Sequence, residues 1–420
     1  MRVLVVLPLY GGSLPVGRYC ASALKELGHM VEVFEAPDFH PSYKALGQLR
    51  VTSDRLQYLE NSYLQVVAQA VLAKVETFEP DLVLAMAQAP LTIQALKRLR
   101  RDGVATAMWF VEDSKLFTYW QAFAPHYDIF AVIQKDTFLD ELQAIGAENA
   151  LYLPMAAHPE VHKPLELSAA DARTYGSDIS FMGAGYPNRR LALREFVGQD
   201  FKLWGTEWEG DPLLAPLVQR GGARVSSEDC VKIFNATKVN INLHSSVQAT
   251  NLVTGGDFLN PRTFEVAACR AFQVVDRRTL MAESFAEDEL ATFGDMAEFR
   301  EKVAYFLAHP EEREAYALRG QQRVLRDHTY AQRMRTLIDF TAERLPDWPR
   351  VKESARAVEG VPAELAEDIE AMLARLGLPP DASFEDLVWA VRQQQDKLGD
   401  LDAAVLFLDE WRKLYGRRAG

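Results

Sequence analysis

Residues 2–34 read RVLVVLPLYGGSLPVGRYCASALKELGHMVEVF. Arg2 to Leu7 is an unbroken run of β-branched and leucine residues, the pattern of a strand buried on both faces of a parallel sheet. Gly11 and Gly12 open a turn, Val16 to Leu27 has helical apolar spacing, Gly28 suits the position just past a helix end, and Val31 to Phe34 predicts a second strand. One βαβ unit follows, and with it a parallel sheet covered by helices. Working outward, Ser53 to Phe78 spaces its apolar residues by three or four, as a helix packed on that sheet requires, and Pro80 ends it. Asp81 to Met86, Ala105 to Val111 and Ile129 to Ile133 are short apolar strands separated by helical segments. Residues 1–155 are therefore expected to form a Rossmann-like domain.

The stretch LYLPMAAHPEVHKPL, residues 151–165, carries three prolines and no sustained periodicity, which marks an interdomain crossing. Beyond it, Asp178–Gly183, Phe201–Trp204, Lys238–Leu243 and Ala271–Val275 are strands alternating with helices, so a second α/β domain is expected over residues 165–345. Its last part, from Met296, is helical and broken at Pro310 and near His328. After LPDWPR, residues 351–420 show only helical patterns, one opened by Ser383-x-x-Asp386, and predict a helical appendage for packing, self-association or a protein partner.

Composition narrows the function. Hydrophobic residues make up 48% of 420, enough for full cores, and 46 basic against 59 acidic residues give a net charge of −13, unsuited to binding nucleic acid. Three scattered cysteines fit neither a disulfide framework nor a zinc ribbon, so a cytoplasmic location is expected. The apolar N-terminus is too short to span a membrane. The turn GGSLPVG, residues 11–17, lacks the dinucleotide register G-x-G-x-x-G and misses the nucleophile elbow G-x-S-x-G.

The sharpest cluster is Asn260-Pro261-Arg262-Thr263-Phe264-Glu265. Asn260 suits an N-cap and Pro261 the first helical position, so a helix starts here with free amides that attract anions. Arg262 and Glu265 share one face, a cation beside the anion site and a carboxylate one turn deeper, as phosphate and ribose hydroxyls would require. An ordinary capped helix with a surface ion pair also satisfies the spacing.

The run LNPRTFEVAACRAFQVVD, residues 259–276, resembles the R-x-F-E-x-x-A-x-G segment of GT-B glycosyltransferases of the CgeB-like family, with Arg270 where that family has glycine. YLPMAAHPEVHKPL, DISFMGAGYPNRRLAL and DHTYAQRMRTLI resemble the same family's linker, second-domain opening and final helix, and the resemblance covers residues 1–345. It implies two Rossmann-like domains facing across a cleft, and transfer of a sugar from a nucleotide diphosphate sugar to an acceptor held by the first domain, without a permanently bound cofactor. Glu265 then matches the ribose-binding carboxylate, and Asp257, eight residues earlier, the first acid of an E-x₇-E motif. The amides of Gly183 and Gly185 with Arg189 are expected to cradle the diphosphate. Asp113, ending the strand AMWFVED, is the expected base, and His244, ending VNINLH, is expected to bond the donor. The lone D-x-D, Asp400-Leu401-Asp402, sits in the appendage, and His158 and His162 lack companion ligands, so a metal-independent reaction is expected. Trp204 and Trp208 suit core packing better than base stacking. The alternatives are a sugar-nucleotide epimerase on the same fold and a non-catalytic nucleotide-binding scaffold.

Overall fold

Each run of β-branched residues becomes a strand of one of two parallel sheets. The computed structural model describes residues 1–247, 252–253, 255–349 and 356–415. The first sheet contains β1 (Arg2–Val6), β2 (Met30–Phe34), β3 (Leu82–Met86), β4 (Ala105–Phe110), β5 (Ile129–Val132) and β6 (Ala150–Tyr152), in the order β2-β1-β3-β4-β5-β6. The second contains β7 (Ser177–Met182), β8 (Phe201–Trp204), β9 (Thr237–Asn242), β10 (Gln273–Asp276) and β11 (Ala291–Phe293), in the order β11-β10-β9-β7-β8. Every pairing among these strands is parallel. Strand order reverses between β1 and β3 in the first sheet and between β7 and β9 in the second, and open α/β sheets take ligands at the carboxyl ends of such points.

Residues Val3 to Val6 are fully buried, as a strand covered on both faces must be. The helix after it, Ser13–Glu26, begins three residues before Val16, and its buried Ser13 hydroxyl donates to the Ala87 carbonyl at 3.1 Å. Gly17 lets this helix lie on the sheet: a Cβ there would sit 2.4 Å from Leu7 Cδ2 and 2.8 Å from Met86 Cγ. Gly17→Ala is therefore expected to cost about 1–3 kcal/mol through overpacking. Urea titration tests this, and an unchanged midpoint would mean that the two side chains yield freely.

The helix Ser53–Phe78 has the expected bounds, but its fully buried residues are confined to the second half, from Val67 to Phe78. The helix Tyr330–Arg344 departs from the domain boundary at residue 345. Rather than staying with the second lobe it crosses back onto Ser13–Glu26, placing the Tyr330 ring 5.3 Å from that of Tyr19. Arg333 fixes the crossing by donating to the carbonyls of Pro154 at 2.7 Å and Met155 at 3.1 Å. One core accordingly runs from Val3 through Trp109 to Phe264, Tyr330 and Met334, joining the two lobes.

Residues 349–420 form a unit of their own. The helices Ala363–Arg375, Phe384–Arg392 and Asp400–Tyr415 enclose Leu373, Leu387 and Val391. The last helix buries acids and exposes aromatics: Asp409 is 1% exposed, held by Arg392 and Lys413, whereas Phe407 is 68% and Trp411 57% exposed. Asp402 of the D-x-D accepts from Gly399 and Arg375, a structural use. Among the described residues no helix is long and apolar enough to cross a membrane.

Candidate active site

A cavity of about 820 Å³ separates the carboxyl ends of the two sheets. Asp113, Lys115, Gln134 and Lys135 line it from the first lobe, and Ser245, Gly256, Asp257 and Arg278 from the second. Asp113 lines this space, and one of its carboxylate oxygens accepts the Lys115 amide at 2.9 Å. That local turn orients it.

The helix Pro261–Ala268 begins as the sequence predicts. The Asn260 side chain accepts the Thr263 amide at 3.2 Å and also donates to Asn242 Oδ1 at 2.7 Å, anchoring the helix start on β9. Pro261 lacks an amide hydrogen and Thr263 is capped, so the anion-attracting end is narrower than the sequence suggests: the Arg262 amide remains, without a partner among the described residues. Arg262 Nη1 pairs with Glu265 Oε2, and Glu265 is 5% exposed, so this is a half-buried pair rather than a surface one. Burial opposes the charge on Glu265, but Arg262 and His162 together outweigh it and hold the carboxyl below its ordinary range. A ligand that brought hydroxyls to Glu265 and phosphates to Arg262 would divide an existing pair between its own groups.

One neighbour of Glu265 was not anticipated. His162, from the proline-rich crossing, lies with Nε2 3.8 Å from Glu265 Oε1. Its Nδ1 accepts the His158 amide at 3.0 Å, which leaves the proton on Nε2. Burial lowers His162 to about 4, so at neutral pH it offers Glu265 a dipole rather than a charge. His158 and His162, which the sequence reading sets aside as metal ligands, bond each other here. Among the described residues no group of three or more His, Cys, Asp or Glu could hold a metal ion.

Three expectations are corrected. His244 does not face the cleft: it is 1% exposed, its Nδ1 bonds Asp276 Oδ1 at 2.7 Å, and its Nε2 accepts the Asn260 amide at 2.8 Å. Both ring nitrogens are used, so it positions the Pro261–Ala268 helix and cannot bond a donor. Asp257, expected as the first acid of the E-x₇-E motif, lines the cleft, but protein contacts engage its oxygens. It is 8% exposed and accepts the Lys135 amide at 2.8 Å and Gln134 Nε2 at 3.2 Å, tying the second lobe to the first. Arg189 does not present its whole guanidinium to a diphosphate, because Nε bonds the Leu243 carbonyl at 2.8 Å and Nη1 that of Ala184 at 3.1 Å. It braces the loop after β7.

That loop needs its glycines. The Gly183 amide donates to Trp204 and that of Gly185 to Thr206, both at 2.9 Å, and a Cβ on Gly185 would lie 2.2 Å from the Glu207 carbonyl oxygen. Both amides are therefore used within the lobe and leave the cradle to other groups. Trp204 and Trp208 are each 1% exposed, as core residues. Arg278 supplies cationic charge where the sequence reading had none. It follows β10, lines the cavity, and contacts Asp276 at 3.5 Å and the Phe258 carbonyl at 3.1 Å.

Two sheets facing across a charged cleft define the GT-B glycosyltransferase fold. Residues 184–339 match the family model described as glycosyl transferase-like, which places a domain of that kind in the second lobe. The chain is a distant homologue of the spore protein CgeB of Bacillus subtilis (strain 168), 27% identical over 257 residues, 59% of this chain and 78% of CgeB. Among solved structures, Anabaena Alr3699/HepE in complex with UDP and glucose aligns over 82% of this chain and 100% of its own, with a TM-score of 0.56 and 12% identity. Sucrose-phosphate synthase from Thermosynechococcus elongatus aligns over 81% and 98%, with a TM-score of 0.56 and 11% identity.

Proposed function

We propose that this protein is a metal-independent glycosyltransferase that takes a nucleotide diphosphate sugar in the second lobe and transfers the sugar to a hydroxylic acceptor held by the first. The observation that carries this reading is the Arg262–Glu265 pair on a capped helix at the carboxyl end of the second sheet, inside the segment that matches the glycosyl transferase-like family. The carboxylate suits ribose hydroxyls and the cation suits phosphate. In the transfer, the acceptor oxygen bonds the anomeric carbon as the sugar–phosphate bond breaks. The nucleoside diphosphate leaves with the electron pair, its charge met by Arg262 and Arg278, and the acceptor proton passes to Asp113. Asp257 and His244 act as positioning residues.

The test is a thermal shift of the purified chain against UDP, GDP, dTDP and CDP, with and without EDTA. UDP is the first choice, since HepE is similar in fold and its structure contains UDP and glucose. A nucleotide at about a hundred times its Kd adds about 2.7 kcal/mol of apparent stability. A shift with one base that survives EDTA is expected. No shift with any of the four would overturn the donor site, and a shift abolished by EDTA would overturn metal independence.

A further inference from the structure

A second cavity, of about 640 Å³, opens in the first lobe at the carboxyl ends of β1 and β3, where the strand order reverses. Its chemistry is the opposite of the cleft's. No Asp, Glu, Lys, Arg or His is among its lining residues; Tyr10, Leu64, Leu91, Tyr119 and Tyr127 form much of the wall. A charged ligand would lose its hydration there and gain no counter-ion, whereas an aromatic or alicyclic ring would find rings to pack on.

Asn61, Gln65, Gln88, Thr92 and Gln94 bring uncharged polar side chains into this lining, and Gln88 is held in a fixed conformation. Gln88 has φ of 63°, a left-handed conformation uncommon outside glycine, and two neighbours hold it there. Its amide donates to Tyr119 Oη at 2.9 Å, its Nε2 donates to Glu112, and Tyr119 Oη donates to Glu112 Oε2 at 2.9 Å. Because Nε2 must face the carboxylate, Gln88 Oε1 is left as an acceptor with no partner among the described residues. The Tyr127 hydroxyl in the same wall is also buried without a partner among them. The segment carrying Tyr119 is shared: Asp113, Thr118 and Gln121 line the charged cleft while Tyr119 and Phe123 line the uncharged cavity.

We infer that this cavity seats an uncharged, ring-bearing alcohol or phenol, packed on its tyrosines with a hydroxyl at Gln88. This binding site does not rest on the glycosyltransferase reading.

The experiment is calorimetric titration of the full chain, without nucleotide, with 2-naphthol, which is uncharged at pH 7, and with 2-naphthalenesulfonate as its charged match. One site is expected for 2-naphthol, with the sulfonate at least tenfold weaker. Leu64→Trp, which enlarges a half-buried lining residue of the long helix, is expected to weaken 2-naphthol at least tenfold while leaving the melting temperature and the nucleotide shift unchanged. Gln88→Gly keeps the positive φ, removes the acceptor, and is expected to weaken it roughly threefold to tenfold. Undiminished binding to Leu64→Trp, or a sulfonate as tight as the naphthol, overturns the cavity assignment. Absence of any nucleotide shift is the separate failure of the donor reading.

Discussion

Glu265→Ala is expected to weaken nucleotide binding by about ten- to 150-fold and to abolish the thermal shift that UDP, or whichever nucleotide binds, gives the wild type. The magnitude follows from one charge-assisted hydrogen-bonding group to ribose, which contributes roughly 1.5–3 kcal/mol. The substitution also removes the partner of Arg262 and leaves that guanidinium half-buried, so the variant itself should melt lower. Glu265→Gln separates the two effects: it keeps the volume and one acceptor oxygen, and should recover stability better than affinity. Acid should mimic part of the loss. Glu265 is held below its ordinary range, so its contribution is present above the ordinary carboxylate pKa and disappears as pH falls through the folded value. His162, neutral down to about 4 in the folded chain, adds to the same trend, since below about pH 6.5 the unfolded chain takes up a proton that the folded one refuses. Stability should therefore decline between about pH 6.5 and 4 by a margin that narrows in His162→Gln. A nucleotide shift of wild-type size in Glu265→Ala would remove the carboxylate from the donor site.

The parts legible in the sequence are those whose signal is local. β1, β3, β4 and the helix Ser53–Phe78 are long runs with one dominant periodicity, and the Asn260–Pro261 helix start is written in adjacent residues. β6 and β11, three residues each, are too short to carry a pattern. The misread side chains fail for the same reason in reverse. His244 looks like a strand-end ligand until Asp276, 32 residues later, occupies its Nδ1. Asp257 reads as the first acid of an E-x₇-E motif, and no local pattern shows that a main-chain amide 122 residues earlier shares its carboxylate. Arg270, at the position of the glycine in the R-x-F-E-x-x-A-x-G pattern, takes the left-handed conformation with φ of 52° and pairs with Glu314, so the turn after the helix forms without a glycine. Charge at Arg278 was visible as a residue but not as part of the cleft, because only the packing of Phe258 and Asp276 directs it there.

Asp276→Ala carries the largest expected loss of stability, about 3–5 kcal/mol, the cost of removing one partner from a buried charged cluster. Asp276 is fully buried, and a single oxygen, Oδ1, accepts both the His244 amide at 2.8 Å and His244 Nδ1 at 2.7 Å, while Arg278 approaches Oδ2 at 3.5 Å. Burial opposes its ionisation, but His244 and Arg278 outweigh that and keep it charged. The histidine is neutral by the same geometry: Nε2 accepts from Asn260, so the ring proton is on Nδ1, and burial lowers its pKa despite the nearby carboxylate. The carboxylate thus orients a histidine, and the histidine fixes the amide of the residue that caps the Arg262–Glu265 helix. Loss of Asp276 should therefore reduce nucleotide binding as well as stability, although Asp276 is fully buried. Asp276→Asn tests the chain of contacts, because its amide oxygen can accept both His244 bonds while its NH₂ group faces Arg278. If hydrogen bonding governs, the asparagine variant retains most of the stability and the nucleotide shift. If charge governs, it falls with the alanine variant, and urea titration of the two beside the wild type decides between them.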